Sequence, residues 1–104
     1  MFKLIKKIFS TLNYTKRRTW GFDESELWNF DITIAKFILP RLIKFKENNP
    51  GGYPAILTLD EWNDILNKMI FAFEKITQEK QLEYPKEIQE GTELFGKWIQ
   101  ALWW

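Results

Sequence analysis

Four stretches of the chain repeat apolar residues at helical spacing, and none shows the strict alternation of a strand. In residues 2–14, Leu4, Ile5, Ile8, Phe9 and Leu12 share one face, with Lys3, Lys6, Lys7 and Ser10 opposite, which predicts an amphipathic helix. The second stretch is the broadest. Leu27, Phe30, Ile34, Phe37, Ile38, Leu42 and Phe45 form a stripe that Trp28, Ile32, Ala35, Leu39 and Ile43 widen, leaving Asn29, Thr33, Lys36, Lys44 and Glu47 as its polar strip. A helix apolar around so much of its circumference is expected to pack on two or more neighbours, so residues 24–46 are expected at the centre of the fold. Asp23 followed by Glu26 has the spacing of a capping box and marks its start. Pro40 cannot donate to the Lys36 carbonyl, and because the stripe stays in phase through Leu42 and Phe45, a kink is expected there rather than a break.

The run Asn48 to Pro54 is dense in turn residues and separates two halves of one domain. Thr58 with Glu61 forms a second capping box, and Leu57 is placed to staple onto Trp62. From there Trp62, Ile65, Leu66, Met69, Ile70, Phe73 and Ile76 make the apolar face of a helix over 59–81. Tyr84-Pro85 interrupts it, since a residue before proline is pushed out of helical geometry. A last helix over 86–102 presents Ile88, Leu94, Phe95, Trp98, Ile99 and Leu102, with Gly91 on the same face where a backbone can approach closely. The fold class is therefore all-α: a compact bundle of three core helices (residues 20–104) preceded by a basic amphipathic helix or arm (residues 1–19). Its core is expected to be led by Leu27, Phe30, Ile34, Ile38, Leu42, Trp62, Leu66, Met69, Phe73, Phe95 and Trp98.

Composition narrows the chemistry. The 104 residues include neither Cys nor His, which removes disulfides, thiolate nucleophiles, sulfur and imidazole metal sites, and every triad that needs an imidazole base. The carboxylates match no calcium-loop spacing, and Gly51-Gly52 lacks the Lys-Ser or Lys-Thr that would follow in a phosphate cradle. No catalytic residue, metal or cofactor is expected, and the protein is read as a binder rather than an enzyme. The formal net charge of +1 hides an asymmetry: residues 1–18 hold Lys3, Lys6, Lys7, Lys16, Arg17 and Arg18 with no acid, so the remainder carries −5. Lysines break the apolar run along this arm every two or three residues, too often for a membrane span or a secretory signal, so the protein is expected to stay in the cell that makes it.

Candidate binding residues follow from what the bundle does not absorb. Asp31 and Arg41 lie inside the apolar arc but about 15 Å apart along the helix, too far to pair with each other. Each is expected to be a buried charge with an interhelical partner, Asp31 with Arg17 or Arg18 and Arg41 with an acid of a later helix; a cleft in which Arg41 receives an anionic ligand, and rim positions pointing to solvent, are the alternatives. The arm suits an anionic membrane surface, or nucleic-acid phosphates with Tyr14 or Trp20 stacking on bases, or a protein groove that takes its apolar face, or simple completion of the bundle. Trp103 and Trp104 end the chain, where two bulky aromatics are expected either to dock on the body or to meet a partner or a second copy.

The stretches WGFDESELWNFDITIAKFILPRLIKFKE, GYPAILTLDEWNDILNKMIFAFE and EGTELFGKWIQALWW, after a lysine-rich amphipathic start, together resemble a group of small helical proteins encoded by bacteriophages and prophages. The resemblance covers most of the chain and implies a host-cytoplasmic setting and a role in host takeover, defence evasion or the virion. It supplies no catalytic residues. The expected function is that of a non-enzymatic phage accessory protein that binds a host or phage protein. Binding of nucleic acid or a nucleotide by the arm and Arg41, and attachment of the arm to a membrane surface, are the alternatives.

Overall fold

The computed structural model describes residues 21–48 and 52–103; the predicted N-terminal helix lies outside them. Among the described residues there are three α-helices, two 3-10 turns and no strand. The all-α expectation holds.

The first capping box forms, but it closes a different element. The Asp23 carboxylate accepts the Ser25 N–H at 3.0 Å, and Glu26 accepts the Asp23 N–H at 2.8 Å. They cap a single 3-10 turn, Glu24–Leu27, after which Trp28 is extended and Asn29 takes left-handed backbone at φ 51. Asparagine enters that region at little cost, and its carbonyl receives the Ile32 and Thr33 N–H groups. Helix α1 therefore spans Phe30–Asn48 instead of starting at residue 24. It runs through Pro40 without a break. The chain divides between Thr33 and Ile34 into two units, and the packing that follows belongs to the second.

Helix α2, Leu59–Thr77, starts at the predicted box: Thr58 Oγ1 accepts the Glu61 N–H at 3.1 Å and Glu61 Oε1 accepts the Thr58 N–H at 2.9 Å. It ends four residues before the predicted limit, on a cap the spacing does not reveal. Glu79 adopts φ 57, its N–H reaches the Ile76 carbonyl at 3.0 Å, and the Lys80 N–H reaches the Lys75 carbonyl at 2.9 Å. This is a Schellman closure with glutamate in the position that favours glycine.

Helix α3, Pro85–Trp98, opens on proline at a position where no intrahelical N–H is needed. Its contacts run antiparallel along α2: Tyr84 meets Phe71 at 5.4 Å between ring centroids, Phe95 meets Phe73 at 5.0 Å, and Trp98 meets Trp62 at 6.1 Å, all edge to face. Between them Gly91 is buried, and a Cβ there would collide with the Ala72 methyl and the Lys68 carbonyl oxygen. The close approach expected at Gly91 is thus present. Beside it Lys68 bridges the helices, 2.8 Å from Glu90 and 3.4 Å from Asp64. Hydrogen bonds that the ammonium donates to Glu90 first and then Asp64 raise the Lys68 pKa above the ordinary lysine value. The resulting contribution is whole below that value and is lost only as the pH climbs past the raised one, so the bridge does not change across neutral pH.

The centre of the fold is α2, not α1. Trp62, Leu66, Met69, Ala72, Phe73 and Ile76 are all buried on α2, whereas α1 buries only Ala35 and Leu42. Of the expected core, Leu42, Trp62, Leu66, Met69 and Phe73 are buried, while Ile38, Phe95 and Trp98 are half-buried. Leu27, Phe30 and Ile34 are exposed. The reason is geometric: an apolar arc can be covered only as far as neighbouring helices reach, and the intimate pairing here is between α2 and α3. Asp31 and Arg41 are exposed as well, so neither is the buried charge its position in the arc suggests.

Gly91→Ala is expected to destabilise the protein by about 2 kcal/mol or more, because overpacking at a backbone contact outweighs the roughly 1 kcal/mol gained in helix propensity. Urea denaturation would show it as a lower midpoint at constant slope. Glu79→Gly is expected to do the opposite, raising stability by about 0.5–1 kcal/mol by relieving left-handed strain at an exposed cap. The same denaturation measurement checks it.

Candidate protein-binding cleft

Because α2 and α3 are antiparallel, the start of α2 and the end of α3 lie at the same end of the hairpin. The loop ahead of α2 and the tail behind α3 enclose a cleft of about 490 Å³, lined by Tyr53, Pro54, Lys97, Trp98, Gln100 and Trp103, together with small residues. Two local features shape it. Gly52 takes φ +85, which an L side chain rarely adopts, and leads into the irregular segment that carries Tyr53. On the other wall the 3-10 turn Ile99–Ala101, closed by the Leu102 N–H on the Ile99 carbonyl at 3.2 Å, tightens the chain after α3 and sets Trp103 against the cleft.

The lining is aromatic and lightly charged. Tyr53 is 48% exposed and Trp103 67%, so both offer ring faces to a ligand. Trp98 joins the cleft to the core, since it lines the cavity and also sets its ring edge to face with Trp62. The indole N–H groups of Trp62 and Trp98 are both buried without an acceptor. Lys97 is the one charged residue of the described lining and holds its ammonium 5.3 Å from the Trp98 ring centroid. Among the described residues no carboxylate pairs with it: Glu93, one turn back, instead accepts the Gln89 amide at 2.7 Å. Ring faces, one cation and the Gln100 amide suit reversible binding. Among the described residues the lining holds no carboxylate to act as a base, and no group of three or more acids able to hold a metal occurs.

Arg41, a site residue predicted from the sequence, does not line this cleft. Lys3, Lys6, Lys7, Lys16, Arg17, Arg18 and Trp104 lie outside the described residues, and with them the expected partner of Asp31. Arg41 folds back on its own helix: Nη1 donates to the Phe37 carbonyl at 2.9 Å, and the guanidinium carbon lies 3.7 Å from the Phe37 ring centroid. Phe37 and Arg41 line a smaller cavity of about 220 Å³ with Ile38, Leu42, Phe95 and Leu102. The expected ion pair from Arg41 to an acid of α2 or α3 is replaced by this stacked arrangement.

No family model matches the chain, and no curated protein or solved structure is similar to it. No helix among the described residues is long and apolar enough to cross a membrane.

Of the cleft's side chains, Trp103 was a sequence candidate for partner contact and Trp98 for the core; Tyr53, Lys97 and Gln100 carried no such signal. Helical periodicity puts Lys97 and Gln100 off the apolar face of α3, where they read as ordinary surface residues. Tyr53 is an aromatic enclosed by Gly51-Gly52 and Pro54, and that setting was the one available hint. Trp103→Ala is expected to leave stability within about 0.5 kcal/mol, since the ring is mostly exposed, whereas Trp62→Ala should cost about 3–5 kcal/mol. Thermal and urea unfolding of the two variants compares them directly.

Proposed function

We propose that this protein acts without catalysis, by binding another protein through the aromatic cleft at the end of the α2/α3 hairpin. The observation that carries this reading is the cleft lining itself, in which the exposed rings of Tyr53 and Trp103 stand with Trp98 and Pro54. Exposed aromatic and aliphatic groups around a concave centre are the composition of a protein-binding hot spot. The resemblance to small phage proteins adds the setting, a bacterial host cytoplasm during infection, with a host or phage protein as partner.

Charge favours a protein over a polyanion at this site. The C-terminal end of a helix carries roughly half a negative charge, and α3 ends beside the cleft. Lys97 offsets that once, which accommodates a neutral or singly charged segment of a protein. A phosphate dianion would want several N–H donors or an arginine, and the described lining holds no arginine.

Affinity capture from phage-infected bacterial lysate, after nuclease treatment, tests the proposal. A nuclease-resistant protein partner should be recovered by the wild type and reduced about tenfold by Tyr53→Ala and by Trp103→Ala in folded variants. Equal recovery by wild type and both variants would exclude the cleft as the binding site.

A further inference from the structure

The connection between α2 and α3 carries a feature that fits the cleft at the opposite end of the same hairpin. Lys80 to Glu83 form a β-turn, closed by the Glu83 N–H on the Lys80 carbonyl at 3.1 Å. Leu82 stands at the third position of that turn and is 98% exposed, the most exposed of the large apolar residues described. Such positions ordinarily carry glycine, asparagine or aspartate. Next to it Glu83 is exposed and pairs with no cation among the described residues. The cleft presents the complement: an aromatic cavity of about 490 Å³ whose one charged residue among those described, Lys97, pairs with no described carboxylate.

We infer that this chain binds a second copy of itself head to tail, with Leu82 of one molecule entering the aromatic cleft of the next and Glu83 pairing with Lys97 at its rim. The inference rests on the proposal that the cleft binds protein, and it names the partner. A molecule cannot fill its own cleft. The 19 residues of α2 span about 28 Å, which puts the turn at one end of the hairpin and the cleft at the other. The contact uses two different patches, so it is heterologous and leaves a free turn and a free cleft after each addition. It propagates into a ring where the rotation closes and into a filament where it does not. The two charges fix the choice of turn and orientation more than the affinity, as rim pairs do.

Sedimentation velocity and light scattering on the full chain, from low to several hundred micromolar, test the inference. Wild type should assemble beyond a dimer as concentration rises. Leu82→Ser, which alters an exposed tip, and Trp103→Ala, which alters an exposed wall, should each be monomeric with unchanged helical circular dichroism. Mixed together, these two variants should form a one-to-one dimer and stop, because one retains only the cleft and the other only the turn. Glu83→Lys or Lys97→Glu alone should weaken assembly about tenfold, and the two combined in one chain should restore it. Wild type that stays monomeric throughout, assembly that survives Leu82→Ser, or a mixture that fails to dimerise would overturn the inference. If wild type is monomeric yet Trp103→Ala still loses a partner captured from lysate, self-association is wrong and the cleft remains a site for another protein. If neither assembly nor capture depends on Trp103, both readings fall.

Discussion

The missing side chain at Gly91 is the constraint on which the second unit depends. Only a residue without Cβ lets the α3 backbone lie against Ala72 and the Lys68 carbonyl, and that approach sets the spacing of the whole hairpin. Three edge-to-face aromatic pairs can then close along the same seam, from Phe71 and Tyr84 at the turn end to Trp62 and Trp98 at the cleft end. Were the helices held an ångström or two further apart, these rings would lose contact together. The Lys68 bridge to Glu90 would lengthen with them.

The same seam explains how the chain separates stability from recognition. Burial is concentrated on α2, at Trp62, Leu66, Met69 and Ala72, each no more than 1% exposed. The segments beyond the helix ends, with Tyr53 on one side and Trp103 on the other, contribute little burial and are free to carry exposed rings. Trp98 is where the two regimes meet, one side of its ring on the core and the other forming the wall of the cleft. Lys75 shows a related economy near the other end, its ammonium 5.0 Å from both the Phe71 and Tyr84 rings, so that a cation holds the turn-side aromatics together. The unpaired indole N–H groups of Trp62 and Trp98 are a cost the packing carries, of about 1–3 kcal/mol each for a buried donor left without an acceptor.

Much of the architecture was legible in the residues, and the misreadings have physical causes. The Thr58 and Glu61 box, the proline opening of α3 and the glycine contact are local or pairwise signals, and each appears where the spacing put it. The Asp23 and Glu26 box also formed, but a capping box specifies only a first turn, and the left-handed backbone at Asn29 ended that turn before the long helix began. The end of α2 escaped because glutamate gives no warning of a Schellman cap. The wide apolar arc of α1 was read as a centre, yet apolarity states what a helix can bury and not what will cover it. Exposed Ile34, Phe37 and Ile43 show the difference.

By itself the sequence determined the helical class, the positions of most helix starts, the absence of cysteine and histidine chemistry, and the place where two backbones must touch. These follow from spacing, capping and side-chain inventory, which act within a few residues or on a single pair. Only the tertiary structure decided which helix is central, that Asp31 and Arg41 face outward, and that Tyr53, Lys97, Gln100 and Trp103 share one cleft. Residues more than forty positions apart are joined there by the antiparallel return of α3 along α2. That return depends on packing between faces, which no local pattern encodes.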